Sequence, residues 1–118
     1  MNILLETVGL STLVIPVGRL DFGAAPGFEK RMQEIFAAAR PPPSAVIVDC
    51  AALEYVSSAG LRVFLLAARS AQRAGVSFAL CSLMPAVREV FDLSGFSRII
   101  AVYPDRAAAL EHPPQTQM

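Results

Sequence analysis

The chain has 118 residues, of which 54% are apolar and 17% charged, which excludes a disordered segment and leaves no room for a catalytic domain beside a regulatory one. Ten basic and ten acidic residues cancel to a formal net charge of zero, and no stretch gathers the Lys and Arg that a phosphate-backbone binder needs, so nucleic acid is not an expected partner. The opening Met1 to Glu6 has no basic n-region and the longest apolar run, Val63 to Ala68, is too short to cross a bilayer, so a cytoplasmic protein without membrane insertion is expected.

Ile3 to Gly9 and Ser11 to Val17 are short runs rich in Val, Ile, Leu and Thr around a glycine, the pattern of two antiparallel strands joined by a tight turn. A loop, Gly18 to Gly23, follows, and Pro26 suits the first turn of a helix. Apolar residues at 28, 32, 35, 36 and 39 give that helix one buried face, and Arg40 with Pro41 to Pro43 ends it. Ala45 to Cys50 is a continuous apolar run interrupted only by Asp49, as expected of a central parallel strand buried on both sides.

Ser57-Ser58-Ala59-Gly60-Leu61 opens a second helix, predicted to bury Leu61, Phe64, Leu65 and Ala68 and to turn Arg62, Arg69 and Arg73 to water, with Gly75 as its stop. Val76 to Cys81 reads as a fourth strand. Pro85 begins a third helix with Val87, Val90 and Phe91 inward and Gly95 at its end. Ile99 to Val102 is a fifth strand, and Pro104 starts a short last helix through Leu110. The expected fold is α/β: one domain over residues 1–112, with a mostly parallel five-stranded sheet, an antiparallel N-terminal pair and about four helices. Residues 113–118 lack apolar periodicity and read as a disordered tail.

Loops beyond the carboxyl ends of parallel strands carry function in such sheets, and here two hold the notable polar residues, Gly18 to Gly23 and Glu54 to Gly60. One reading makes Ser57 or Ser58 an N-cap. The other makes Ser58 a phosphate acceptor, since a helix N-terminus tolerates an anion and the added charge acts on a partner's surface. A hydrolase nucleophile is disfavoured: the stretch is not a G-x-S-x-G elbow, and the single histidine, His112, lies beside the tail.

The sequence contains no nucleotide-binding glycine motif, and two cysteines with one histidine offer no zinc cage; no cofactor is expected. Asp21 and Asp49 invite an acid pair or a magnesium site of the response-regulator kind. The other reading has Asp21 capping a loop and Asp49 anchoring a strand end through backbone bonds; for Asp49 this second reading is favoured, and with no lysine after the later strands a receiver domain is disfavoured. Cys50 and Cys81 read as free core thiols, and Met84-Pro85 as either a helix start with a core methionine or an exposed partner-binding corner.

These residues together resemble the STAS domain family, and within it the bacterial anti-sigma factor antagonists. The resemblance runs from Leu5 to Leu110. It rests on Gly18-Arg19-Leu20-Asp21, similar to the family's G-x-L-D, on Val46-Ile47-Val48-Asp49, and on Leu53-x-Tyr55-x-Ser57-Ser58-Ala59-Gly60-Leu61, with Gly75, Val87, Phe91 and Gly95 further on. In well-known members the loop reads D-S-[S/T]-G-L and the serine after the aspartate takes the phosphate. Counted back from Gly60-Leu61, that serine is Ser58; Ser57 replaces the aspartate, Ala59 precedes the glycine, and Ser57 stands as second choice of acceptor.

The resemblance implies a binding protein, not an enzyme. Its unphosphorylated form would bind an anti-sigma factor that is also a serine kinase of the histidine-kinase-like ATPase fold. Phosphorylation at Ser58 would release it, and a serine phosphatase would restore it. The partner-binding residues are then expected to be Asp21 and Phe22 in the first loop, Ser57, Ser58, Ala59, Gly60 and Arg62 around the second helix start, and Met84. An alternative is the same module in a partner switch with a non-sigma output, in secretion, two-component signalling or transporter control.

Overall fold

A computed structural model describes residues 1–39 and 44–111. Arg40, the proline run at 41–43, His112 and the expected tail at 113–118 lie outside the described residues. The strands are β1 (Asn2–Val8), β2 (Ser11–Leu20), β3 (Ala45–Asp49), β4 (Leu53–Val56), β5 (Ser77–Cys81) and β6 (Ala101–Tyr103). The helices are α1 (Ala25–Ala37), α2 (Ser58–Ala74), α3 (Pro85–Ser94) and α4 (Arg106–Glu111), with a 3₁₀ turn at Phe96–Arg98.

Five strands run in the order β1-β2-β3-β5-β6, antiparallel between β1 and β2 and parallel thereafter. This is the expected sheet, with one addition. β4 pairs in parallel with the end of β2, joining Gly18 to Leu53, Arg19 to Tyr55 and Leu20 to Val56. The register slips between Gly18 and Arg19, so Leu53 and Val56 are buried while Glu54 and Tyr55 both face out. The extra residue, Glu54, is a bulge that erases the period-two alternation by which a strand is read from sequence, and Gly18 on the facing strand adopts a positive φ of +112°.

The sheet separates two apolar layers. Val14, Val46, Val48 and Leu80 face the larger one, with Phe28, Phe64 and Phe91 of α1, α2 and α3. Those three rings meet edge to face at centroid separations of 5.5 and 5.6 Å, the arrangement that aromatic quadrupoles favour. Leu13, Ile47 and Cys81 point the other way, onto Ala109 of α4. Cys50 belongs to the first layer and Cys81 to the second, so both are free, buried thiols on opposite faces of the sheet.

Two helical faces depart from expectation. α2 buries Gly60, Leu61, Val63, Phe64, Ala67 and Ala71, leaving Leu65 and Ala68 half-buried, because the helix packs mainly on α1 and its buried stripe is turned toward that neighbour. Arg62, Arg69 and Arg73 are turned outward on the opposite side. On α3 only Val87 and Phe91 are buried; Val90 lies on the outer side.

Candidate functional site

β2 and β4 end side by side, and their last paired residues, Leu20 and Val56, release two loops at the same edge of the sheet. Residues Asp21 to Ala24 lead into α1, and Ser57 leads into α2. The Ser57 amide donates to the Leu20 carbonyl at 2.9 Å, which ties the second loop to the first.

Ser57 is the N-cap of α2. Its backbone is extended (φ −79°, ψ 171°) and its hydroxyl oxygen accepts from the Gly60 amide at 3.1 Å, while its carbonyl accepts from the Leu61 amide at 2.9 Å. One of the amides left over at the helix start is thereby satisfied. Ser58, at the first helical position, is exposed, and its hydroxyl has no partner among the described residues. The first turn carries no acidic side chain, so the positive helix end is uncompensated there. Arg62 follows four residues later, a spacing that places it one turn along the same face.

Gly60 explains why the motif ends in glycine. A methyl group there would meet Leu20 Cγ at 2.7 Å and the Leu20 carbonyl oxygen at 3.0 Å. Leu20 is fully buried, and Ala59 packs half-buried against the same core. The small residues after the serines thus let α2 start directly on the end of β2, with Ser58 pushed outward.

The first loop is built by Asp21. Its carboxylate accepts from the Ala24 amide at 2.9 Å, and its carbonyl from the Ala25 amide at 3.1 Å, the loop-capping role expected. Phe22, next to it, is 81% exposed. Met84 stands beyond the end of β5 as the N-cap residue of α3; it is half-buried against the core and its carbonyl accepts from the Arg88 amide. Of its two readings, the helix-start methionine fits these contacts.

Asp49 is not part of this edge cluster. It is buried on the α4 side, where Oδ1 accepts from the Ala51 amide at 3.1 Å and Oδ2 from Arg106 Nε at 3.0 Å. A second guanidinium nitrogen lies 2.9 Å from Oδ2, and a third donates to Glu6 Oε2 at 2.9 Å. Asp49 hydrogen bonding holds the Arg106 pKa above its ordinary value, opposed by partial burial. Asp49 does anchor the strand end through the backbone, and in addition pins α4. No signal in the sequence joins residues 49 and 106, which are 57 positions apart.

A second contact unseen from sequence is Arg19 stacked on Tyr55, its guanidinium carbon 4.3 Å from the ring centroid. The two are register partners across β2 and β4. Every position of Gly18-Arg19-Leu20-Asp21 is therefore structurally committed. Gly18 takes the positive φ opposite the bulge, Arg19 makes the stack, Leu20 the wall beneath Gly60 and Asp21 the loop cap.

A family model described as STAS domain matches residues 2–109. A Bordetella bronchiseptica protein named as anti-sigma factor antagonist BtrV is 48% identical over 64 residues, 54% of this chain and 55% of that protein; the match spans about half the length of that curated relative. Among solved structures, an anti-sigma factor antagonist from Thermotoga maritima superposes with a TM-score of 0.86 at 22% identity, covering 96% of this chain and 95% of that one. The anti-sigma factor antagonist SpoIIAA, in its unphosphorylated form, gives 0.74 at 23% identity, covering 93% and 94%. At these identities the solved structures show a shared fold. Among the described residues, no helix is long and apolar enough to cross a membrane.

Proposed function

The chain belongs to the STAS domain family, and on that premise we propose that it is a phosphorylation-regulated anti-sigma factor antagonist whose switch is Ser58. The observation that carries the proposal is the division of labour between two adjacent serines. The Ser57 hydroxyl is engaged as the helix cap, whereas Ser58 is exposed beside it. A kinase reaching this edge finds a hydroxyl that can be modified without unmaking a structural bond.

A phosphate on Ser58 adds about −1.5 to −2 charges at the end of α2, where amide hydrogens lack intrahelical acceptors and Arg62 is within one turn. The domain can thus carry the phosphate without unfolding, and the consequence falls on the partner. That partner is an anti-sigma factor with serine kinase activity of the histidine-kinase-like ATPase fold, which brings ATP and its own catalytic groups; a serine phosphatase reverses the step. The chain acts as ligand and substrate, in the cytoplasm, and not as an enzyme. Phe22, exposed on the neighbouring loop, supplies an apolar anchor of the kind that dominates interfaces. Asp21 and Gly60 act by holding the two loops in place, Ser57 and Ala59 flank the acceptor, and Met84 sets the margin of the surface.

Titration calorimetry of the partner kinase with the wild type and with Ser58→Asp tests the reading. The variant is expected to keep the native circular dichroism spectrum and to bind at least tenfold more weakly; equal affinities would contradict it.

A further inference from the structure

We propose that the outer edge of β1 is a homodimer interface, on which a second copy of this chain adds its own β1 antiparallel to the first. Nothing in this surface depends on Ser58. Among the described residues eleven large apolar side chains are exposed, and six of them, Met1, Leu4, Leu5, Val8, Leu10 and Val17, belong to the β1–β2 hairpin or its turn. Such a concentration is the mark of an interaction surface, whereas single exposed apolar residues are ordinary.

β1 stands at the margin of the sheet, with seven residues in unbroken register on β2. Open edges are usually guarded against pairing by lysine, proline, a bulge or extreme shortness. This strand has none of those. Its only ionisable side chain is Glu6, and Arg106 already holds that carboxylate at 2.9 Å. The chain's net charge of zero also removes the repulsion that keeps like copies apart.

The side chains favour one register. Leu4, Glu6 and Val8 share the α4 side of the sheet with Leu13, the partner of Glu6, while Ile3 and Leu5 face the other side. A two-fold axis at Glu6 would oppose two acids, and one at Leu5 would set Leu4 against Glu6. An axis at Leu4 instead places Leu4 on Leu4, Ile3 on Leu5 and Asn2 on Glu6, where the amide can donate to the carboxylate. The result is an isologous, closed pair built by strand addition. Leu4 is 55% exposed and Leu5 44% exposed in the single chain, so the pairing has apolar area to bury on both sides of the sheet.

Sedimentation equilibrium of the full chain from about 1 to 200 μM, a range that brackets ordinary protein association, is the test. The expected mass is twice the 12.6 kDa of one chain, falling to a single chain in Leu4→Lys and Leu5→Lys, each checked for a native spectrum, and staying double in Leu93→Lys, which charges an exposed apolar residue on α3. If the lysine variants do not fold, Leu4→Cys serves instead. With both native thiols buried, mild oxidation should link two copies through residue 4. A wild type that is a single chain throughout, a mass that grows beyond two chains, dissociation by Leu93→Lys, or no cross-link in Leu4→Cys would each overturn the proposal.

Discussion

Gly60 lies against Leu20 so closely that a methyl group on the glycine would stand 2.7 Å from Leu20 Cγ. The contact fixes where α2 begins on the end of β2, and with it the positions of Ser57 and Ser58. Leu20 could yield with its side chain, but its carbonyl oxygen, at 3.0 Å, belongs to the backbone that also receives the Ser57 amide.

Gly60→Ala is accordingly expected to destabilise the fold by about 1–3 kcal/mol through overpacking, even though alanine gains up to about 1 kcal/mol in helix propensity. Urea midpoints measure it. In a double-mutant cycle with Leu20→Ala, the pair should cost less than the sum of its singles, because the shortened side chain relieves the clash.

The two serines should separate in stability as they do in geometry. Ser57→Ala loses the cap and is expected to cost about 1 kcal/mol, whereas Ser57→Asp, another good N-cap, should stay near the wild type. Ser58→Ala should change stability by no more than about 0.5 kcal/mol. Thermal melts of the three variants decide it; a Ser58→Ala loss as large as that of Ser57→Ala would contradict the division of labour.

The same pair of serines marks what the sequence could disclose. Where the resembling family has aspartate, this chain has Ser57, and from sequence the change removes a charge beside the acceptor. The structure adds that serine keeps the capping bond, so the substitution conserves the helix start while altering the local charge. The antiparallel N-terminal pair, the alternation of later strands with helices, and the helix bounded by Ser57 and Gly75 were legible, because each depends on local patterning. β4 was not, because the unpaired Glu54 breaks its alternation. Nor was the Asp49–Arg106–Glu6 cluster, since ion pairs between distant segments leave no periodic trace.

Arg106→Leu removes the cation from buried Asp49 and is expected to cost about 1–3 kcal/mol, the range for leaving a buried acceptor without its partner. Glu6→Gln loses only the exposed arm of the cluster and should cost less than about 1 kcal/mol. Chemical denaturation of both variants tests the ranking, and equal losses would contradict it.

Alkaline pH should weaken the fold through its thiols. Burial, with smaller contributions from Cys81 and Asp49, pushes the Cys50 thiol well above its ordinary 9.0. Burial also raises Cys81, against a hydrogen bond with Ser82 that lowers it. Above 9.0 the unfolded chain releases these protons while the folded chain keeps them, so the stabilisation present below that pH is lost as pH rises through the folded values. Urea midpoints at about pH 7 and pH 10 should differ in that direction, and less so in Cys50→Ala. In the native protein both thiols should react slowly with a thiol-specific reagent.

The central claim is that Ser58 is the acceptor, and the most direct measurement is site-localising mass spectrometry after incubation with the partner kinase and ATP. One phosphate is predicted, on Ser58, present in Ser57→Asp and absent from Ser58→Ala. A phosphate on Ser57 or elsewhere, or an unmodified chain beside a kinase that is active and binds it, would contradict the account.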